Sequence, residues 1–396
     1  MSEWERTIRS ETVLAFTFHH STRPMIRQSH RTLEAYRVFI GQDQDFSTDG
    51  RAHPPDSAVS ETVTEPALPN GHFSFFKHSI TPDVTLSYAS RYLSRFHEII
   101  RRGSRGNLRL NEWTLHERIT HDTVANSVGL LMQVVQRLRS LAFQISSPTG
   151  LVDISHPMSP EGESAALAKL DALCDELTRP PLPPPTTGRY PAILSSYVMS
   201  AILETLLPLL RSNSLLSFSL PEGWALVDDP CHPHSFQSVP IDAEGRRTRR
   251  QTIWKGERIS PITDTVTARR RAIPATAHAT RPTMDAPPMP NYHNLVLEGP
   301  EQSPENVHAS WGKGLHLLRP IHVHFIEKHT RLQVIASAYG MEGDKIHSYY
   351  PLVTCRFTLR DFMRNLVSAV GPLSFTLDSC PLGVPPCYIH NLNIFS

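Results

Sequence analysis

The chain has 396 residues, with 39 Lys and Arg against 38 Asp and Glu and a formal net charge of +1. At about 150 residues per domain this length predicts two or three domains, and 39% hydrophobic with 19% charged residues marks a globular chain. So small a net field excludes a dominant role on nucleic acid or at a membrane surface, because neither polyanion would be steered to it.

Taken in chain order, Val13 to Phe18 and Ala35 to Ile40 alternate and read as two strands. Residues 42–72 are rich in Pro, Asp and Ser and read as a loop. A helix fits 82–101, capped by Thr81 with Pro82 at its first position and ended by Gly103. Around Trp113, Leu115 and Ile119 the alternation returns, and Asn126-Ser127-Val128-Gly129 is a turn. Leu130 to Ile145 fits strand or helix, and 161–177 is a short helix. The proline-rich run from Arg179 to Gly188 is a stiff connector and divides an N-terminal unit, 1–180, from a C-terminal one, 188–396. Beyond it come a short strand, Arg189 to Leu194, and a strongly apolar helix, Tyr197 to Leu210, after cap-type Ser195 and Ser196. From Leu215 onward strands and turns dominate, the Arg-rich runs at 246–250 and 269–271 read as solvated faces, and a last helix spans Leu359 to Val367.

The start, MSEWERTIRSE, is charged and unlike a signal peptide, and no stretch approaches 18 apolar residues. The five cysteines, Cys174, Cys231, Cys355, Cys380 and Cys387, are scattered without a C-x-x-C. Reduced thiols in a cytoplasmic protein are the expectation.

A series of short motifs then runs in one order through the C-terminal half. They are Gly188-Arg189-Tyr190-Pro191-Ala192-Ile193-Leu194, Asp228-Asp229-Pro230, Ile241-Asp242-Ala243-Glu244-Gly245, Pro290-Asn291-Tyr292-His293-Asn294-Leu295-Val296-Leu297-Glu298-Gly299 with Ser303-Pro304-Glu305, Gly312-Lys313-Gly314-Leu315, and Thr358-Leu359-Arg360-Asp361 with Asn365-Leu366. In that order they resemble the TldD/TldE (also called PmbA) family of peptidase proteins. The resemblance implies an α+β fold: an N-terminal mixed α/β unit, then a β-rich C-terminal domain with a long buried helix. It also implies a heterodimer. A TldD-like subunit carries an H-E-x-x-x-H zinc motif on that helix and a later Cys ligand, and a TldE-like subunit lacks the motif and completes the cleft.

Zinc peptidase chemistry of this kind needs two neutral His ligands and a Glu general base on the metal-bound water. Here the corresponding helix reads Leu203-Glu204-Thr205-Leu206-Leu207-Pro208, so Leu203 and Pro208 stand at the two His positions. Neither binds a metal, and Pro208 is expected to disturb the helix. The resemblance is therefore to the TldE-like subunit, with no cofactor in this chain and zinc in a TldD-like partner. The implied substrate is an extended, unfolded peptide, trimmed during maturation of a ribosomally made peptide. Asp228, Asp229, Asp242, Glu244 and Gly245 are family-motif positions that fit turn formation at least as well as substrate contact. The helix 197–210 or the stretch Cys387 to His390 is expected to contribute to the apolar interface of such a pair.

Two alternatives stand beside this reading. His116-Glu117-Arg118-Ile119-Thr120-His121 is literally H-E-x-x-x-H, and it offers an autonomous zinc peptidase with Glu117 as base and His116 and His121 as ligands. Strand alternation places those histidines on opposite faces, and 21 His in the chain make chance spacings common. The other alternative is a peptide-binding module without proteolysis. Cys231-His232-Pro233-His234 and His322-Val323-His324 are weaker candidate ligand pairs, and Cys355 reads as a buried apolar thiol.

Overall fold

Alternating apolar residues in the first half build long antiparallel strands, and the structure, a computed structural model, shows where they pair. It describes residues 3–19, 25–40, 43–47, 98–99, 108–126, 131–147, 150–157, 162–211, 218–283, 286–327, 331–377 and 380–395. The first six strands are β1 (Glu3–His19), β2 (Met25–Ile40), β3 (Asp43–Ser47), β4 (Arg109–Asn126), β5 (Leu131–Ser147) and β6 (Gly150–Pro157). They form one antiparallel sheet in the order β3-β2-β1-β4-β5-β6. Helix α1 (Gly162–Thr178) covers it. Leu167, Leu170, Cys174 and Leu177 fall at helical spacing and pack on Trp113, Leu115, Leu141, Phe143 and Ile145.

From β7 (Gly188–Leu194) onward the chain builds two further sheets around α2 (Ser196–Arg211). The elements that follow are β8 (Ala225–Asp228), β9 (Gln251–Lys255), β10 (Arg258–Ile259), α3 (Thr265–Arg271), β11 (Ala279–Thr280), β12 (Met289–Pro290), β13 (Leu295–Glu298) and α4 (Pro304–Ser310). Then come β14 (Lys313–Glu327), β15 (Arg331–Glu342), β16 (Lys345–Thr358), α5 (Leu359–Asn365), β17 (Leu366–Ala369), β18 (Ser374–Leu377), β19 (Pro381–Val384) and β20 (Cys387–Phe395). One sheet runs β10-β9-β8-β13-β19-β18 and the other β16-β15-β14-β7-β20-β17. In the second, Cys355 and Thr354 of β16 also pair with Ile394 and Phe395 of β20, which curls five strands toward a closed ring. The fold is α+β and rich in strand.

Apolar residues of α2 join one core cluster with Trp224 just before β8, Leu226, Trp254 and Leu295 of the first sheet, and Leu315, Leu317, Val334 and Val353 of the second. The connector 179–187 crosses the outside of β16, where Leu182 N–H donates to Tyr349 O at 2.9 Å. Nearby, Glu176 of α1 accepts from Tyr349 Oη at 3.2 Å and from Arg319 at 3.4 Å.

Several expectations need correcting. Asp43–Ser47 lies in the expected loop but pairs with β2, extending the meander. The ambiguous run after residue 130 is strand β5, paired on both sides. Both surfaces expected to meet a partner are internal: α2 is core, and Cys387, Tyr388 and Ile389 are buried in β20. Residues 127–129 of the expected turn, and all of the expected helix 82–101 but 98–99, lie outside the described residues. No helix among the described residues is long and apolar enough to cross a membrane.

Candidate functional site

Helix α2 starts at a local cap. Ser195 Oγ accepts from Val198 N–H at 3.2 Å and donates to Leu318 O at 2.5 Å. Of the positions compared with a zinc motif, Leu203 is buried in the core and Pro208 is exposed on the opposite face. Neither carries a lone pair, so the residues present do not fit a zinc ion there. Cys355 fits no better, because full burial pushes its thiol up and disfavours the thiolate a metal needs. Pro208 does not break the helix, which continues to Arg211. Its ring removes the helical bond to the Glu204 carbonyl on an exposed part of the helix. Pro208→Ala restores that bond, and thermal unfolding should show a gain of about 1–2 kcal/mol, the helix-propensity difference less the entropy regained by the unfolded chain. A loss of stability would mean that the ring itself is needed.

The expected Asp positions converge on one loop. Strand β8 ends at Asp228, which is fully buried. Its Oδ1 accepts backbone N–H groups of His293 at 3.0 Å and Asn294 at 2.8 Å. Its Oδ2 lies 3.2 Å from His293 Nδ1 and 3.1 Å from His278 Nε2. Burial alone would raise this carboxyl. The two imidazoles beside it instead bring it well below the usual carboxylate range. Asn294 completes the anchor: its Nδ2 donates to Asp229 O, Pro230 O and Gln237 O, at 3.0, 2.9 and 3.2 Å.

Asp242 pins the neighbouring residue. Its Oδ1 accepts Glu244 N–H at 3.0 Å and Arg246 N–H at 2.8 Å, and its Oδ2 takes Ala279 N–H at 3.3 Å. Gly245, at φ 78°, closes this turn in the left-handed region. Glu244 Oε2 accepts from Thr265 N–H at 2.9 Å and Thr265 Oγ1 at 2.7 Å, tying the turn to the start of α3. Asp228 and Asp242 thus meet adjacent residues, His278 at its ring and Ala279 at its N–H. Asp229 is partly exposed, 3.9 Å from Arg250.

Burial drives the Asp242 carboxyl up to about 6, against the pull of the Arg246 N–H, with Glu244 adding to the rise. The folded state therefore holds that proton longer than the unfolded chain. Between about pH 4 and 6 it binds more protons, so this group's stabilisation is present in acid and lost as pH rises, by about 3 kcal/mol in all. Urea denaturation should show the parent's advantage over Asp242→Asn shrinking by that amount from pH 4 to 7. A pH-independent difference would remove the assignment.

The remaining candidates do not converge. His116 and His121 sit five residues apart in an unbroken β4 ladder, opposite Ala15 and Ser10 of β1, about 16 Å along the strand. Glu117 between them is buried and bonded to Arg139 Nε at 2.6 Å. In the Cys231 loop, His232 packs on Phe375, ring centroids 5.2 Å apart. The His322 and His324 rings lie 4.4 Å apart on β14, tilted by 38°. Among the described residues, Asp228, His278 and His293 are the one group of His, Cys and acidic side chains placed to share a metal ion. His293 falls within a family motif and His278 within none, and neither could be paired with Asp228 from sequence because they stand 65 and 50 residues from it. Only the crossing of three segments brings them together.

Comparison with known proteins agrees with this architecture. Residues 187–396 match the PmbA/TldA metallopeptidase C-terminal domain. No curated protein matches the sequence. Among solved structures, TldE from Thermococcus kodakarensis superposes with a TM-score of 0.80 at 13% identity, over 100% of this chain and 97% of that one. A candidate modulator of DNA gyrase from Thermotoga maritima gives 0.74 at 14% identity, over 100% and 96%. A like-named protein from Bacteroides thetaiotaomicron gives 0.64 at 12% identity, over 99% and 94%.

Proposed function

Because the chain belongs to the PmbA/TldD family of metallopeptidase proteins, we propose that it is the subunit of a TldD/TldE-type heterodimer that lacks a catalytic centre of its own. The observation that carries this reading is the occupancy of α2. Leu203 and Pro208 stand where the family's zinc ligands would stand, and no other residue of the helix replaces them with an imidazole, thiol or carboxylate pair. The fold likeness to TldE supports the same side of the pair. The partner, a TldD-like subunit with an intact H-E-x-x-x-H, supplies zinc and the general base. This chain supplies one wall of the cleft and binds an unfolded peptide in extended form, where backbone hydrogen bonds give sequence-tolerant affinity. The reaction is peptide-bond hydrolysis, and the biological task is trimming of a precursor during maturation of a ribosomally made peptide in the cytoplasm.

The test mixes the purified chain with a TldD-like protein encoded beside it. Size-exclusion chromatography should give one complex, and a labelled unfolded peptide should be cut by the mixture and not by this chain alone. Glu204→Gln in this chain should leave that rate unchanged, while loss of the partner's zinc motif abolishes it. Cleavage by this chain alone, or a rate that depends on Glu204, would overturn the assignment of roles.

A further inference from the structure

The buried group at Asp228 has a property that a simple anchor does not need. His278 Nδ1 lies 2.8 Å from the Thr276 carbonyl oxygen and 2.9 Å from Thr276 Oγ1. A carbonyl only accepts, so Nδ1 carries the proton and Nε2 of the neutral ring presents a lone pair. That Nε2 faces Asp228 Oδ2 at 3.1 Å without the geometry of a hydrogen bond. His293 turns its Nδ1 to the same oxygen, at 3.2 Å, so that in the tautomer with its proton on Nε2 it too presents a lone pair there. The exposures are 0% for Asp228, 1% for His278 and 3% for His293, so bulk water does not satisfy these atoms. A carboxylate facing an imidazole lone pair repels it unless a cation stands between them.

We propose that Asp228, His278 and His293 form a binding site for one divalent transition-metal ion of the zinc class, which clamps β8, the 276–280 segment and the start of β13 together. Three features support it. A ligand atom from each residue lies within 4.8 Å of the other two. The 3.1 and 3.2 Å separations between Oδ2 and the two rings match the ligand–ligand edge of about 3.3 Å that follows from tetrahedral zinc bonds. The His278 ring has its Nδ1–H held by the Thr276 carbonyl, the arrangement that orients a histidine ligand. Two imidazoles and one carboxylate suit zinc and its neighbours rather than calcium or magnesium. The site departs from the expectation that this chain holds no metal. It is remote in sequence from α2, serves stability rather than peptide hydrolysis, and does not depend on the role proposed above. The competing occupant is a second proton on His278, which would make the group a buried ion pair.

The protein expressed alone should carry about one zinc ion per chain by mass spectrometry, and dialysis against a chelator should remove it and lower the melting temperature. Added Zn2+ should restore both. His278→Gln and His293→Gln should each fall below about a tenth of an ion per chain. The control His232→Ala/His234→Ala, which removes loop histidines, should keep its ion. Should the Gln variants not fold, the unaltered protein loaded with Co2+ decides: a visible d–d spectrum of a four- or five-coordinate site is expected. A metal-free protein unmoved by Zn2+, no such spectrum with Co2+, or zinc lost only in the loop control would overturn the site in favour of the proton.

Discussion

Asp228→Ala is expected to lower the unfolding free energy by about 3–5 kcal/mol, the range for removing one partner of a buried charged group. The truncation leaves the backbone N–H groups of His293 and Asn294 without their acceptor and takes the carboxylate from between two buried rings. Asn294 also fixes three carbonyls of the loop after β8, so a shift of its backbone loosens residues 229 to 237. Urea denaturation should show an earlier midpoint with little change in slope. Asp229→Ala is the control: that side chain is partly exposed, its contact with Arg250 is long, and it should cost under about 1 kcal/mol. Equal losses at the two positions would refute the account.

Leu206→Ala should cost about 2–5 kcal/mol, because the residue is 0% exposed in a core shared by two sheets and cannot be relieved by one side chain turning inward. The neighbouring Pro208→Ala is expected to act in the opposite sense. A pair of measurements two residues apart therefore separates packing from backbone effects on one helix. If Leu206→Ala cost less than about 1 kcal/mol, α2 would not be the centre of the core.

Part of this was legible in the sequence. Helix α2 was readable because its apolar residues recur at helical spacing over four turns, and β4 because Trp113, Leu115 and Ile119 alternate. Helix α3 was hidden: TVTARRR is seven residues long and reads as a solvated basic run. Its signal was Asp264, whose carboxylate accepts Thr267 N–H at 2.7 Å. Helix α4 was equally short, announced only by Ser303 and Pro304. The family motifs around Asp228 and Asp242 were visible as short strings. That they grip neighbouring residues was not, since strand pairing across distant segments decides which loops meet. The meeting of His278 and His293 at Asp228 was hidden for the same reason.

The placement of β20 bears on how the chain is made. Strand β7 is paired on one side by Leu315 to Leu317 of β14 and on the other by Cys387 to Ile394 of β20. At a synthesis rate of roughly 5–20 residues per second, Leu194 leaves the ribosome about 10–40 s before its partner Cys387 exists. During that interval β7 and the apolar face of α2 have no finished sheet to rest on, whereas the meander β1 to β6 with α1 already has all its strands. The nascent chain should therefore hold a folded N-terminal part ahead of a sticky, unfinished one, the kind of surface chaperones bind.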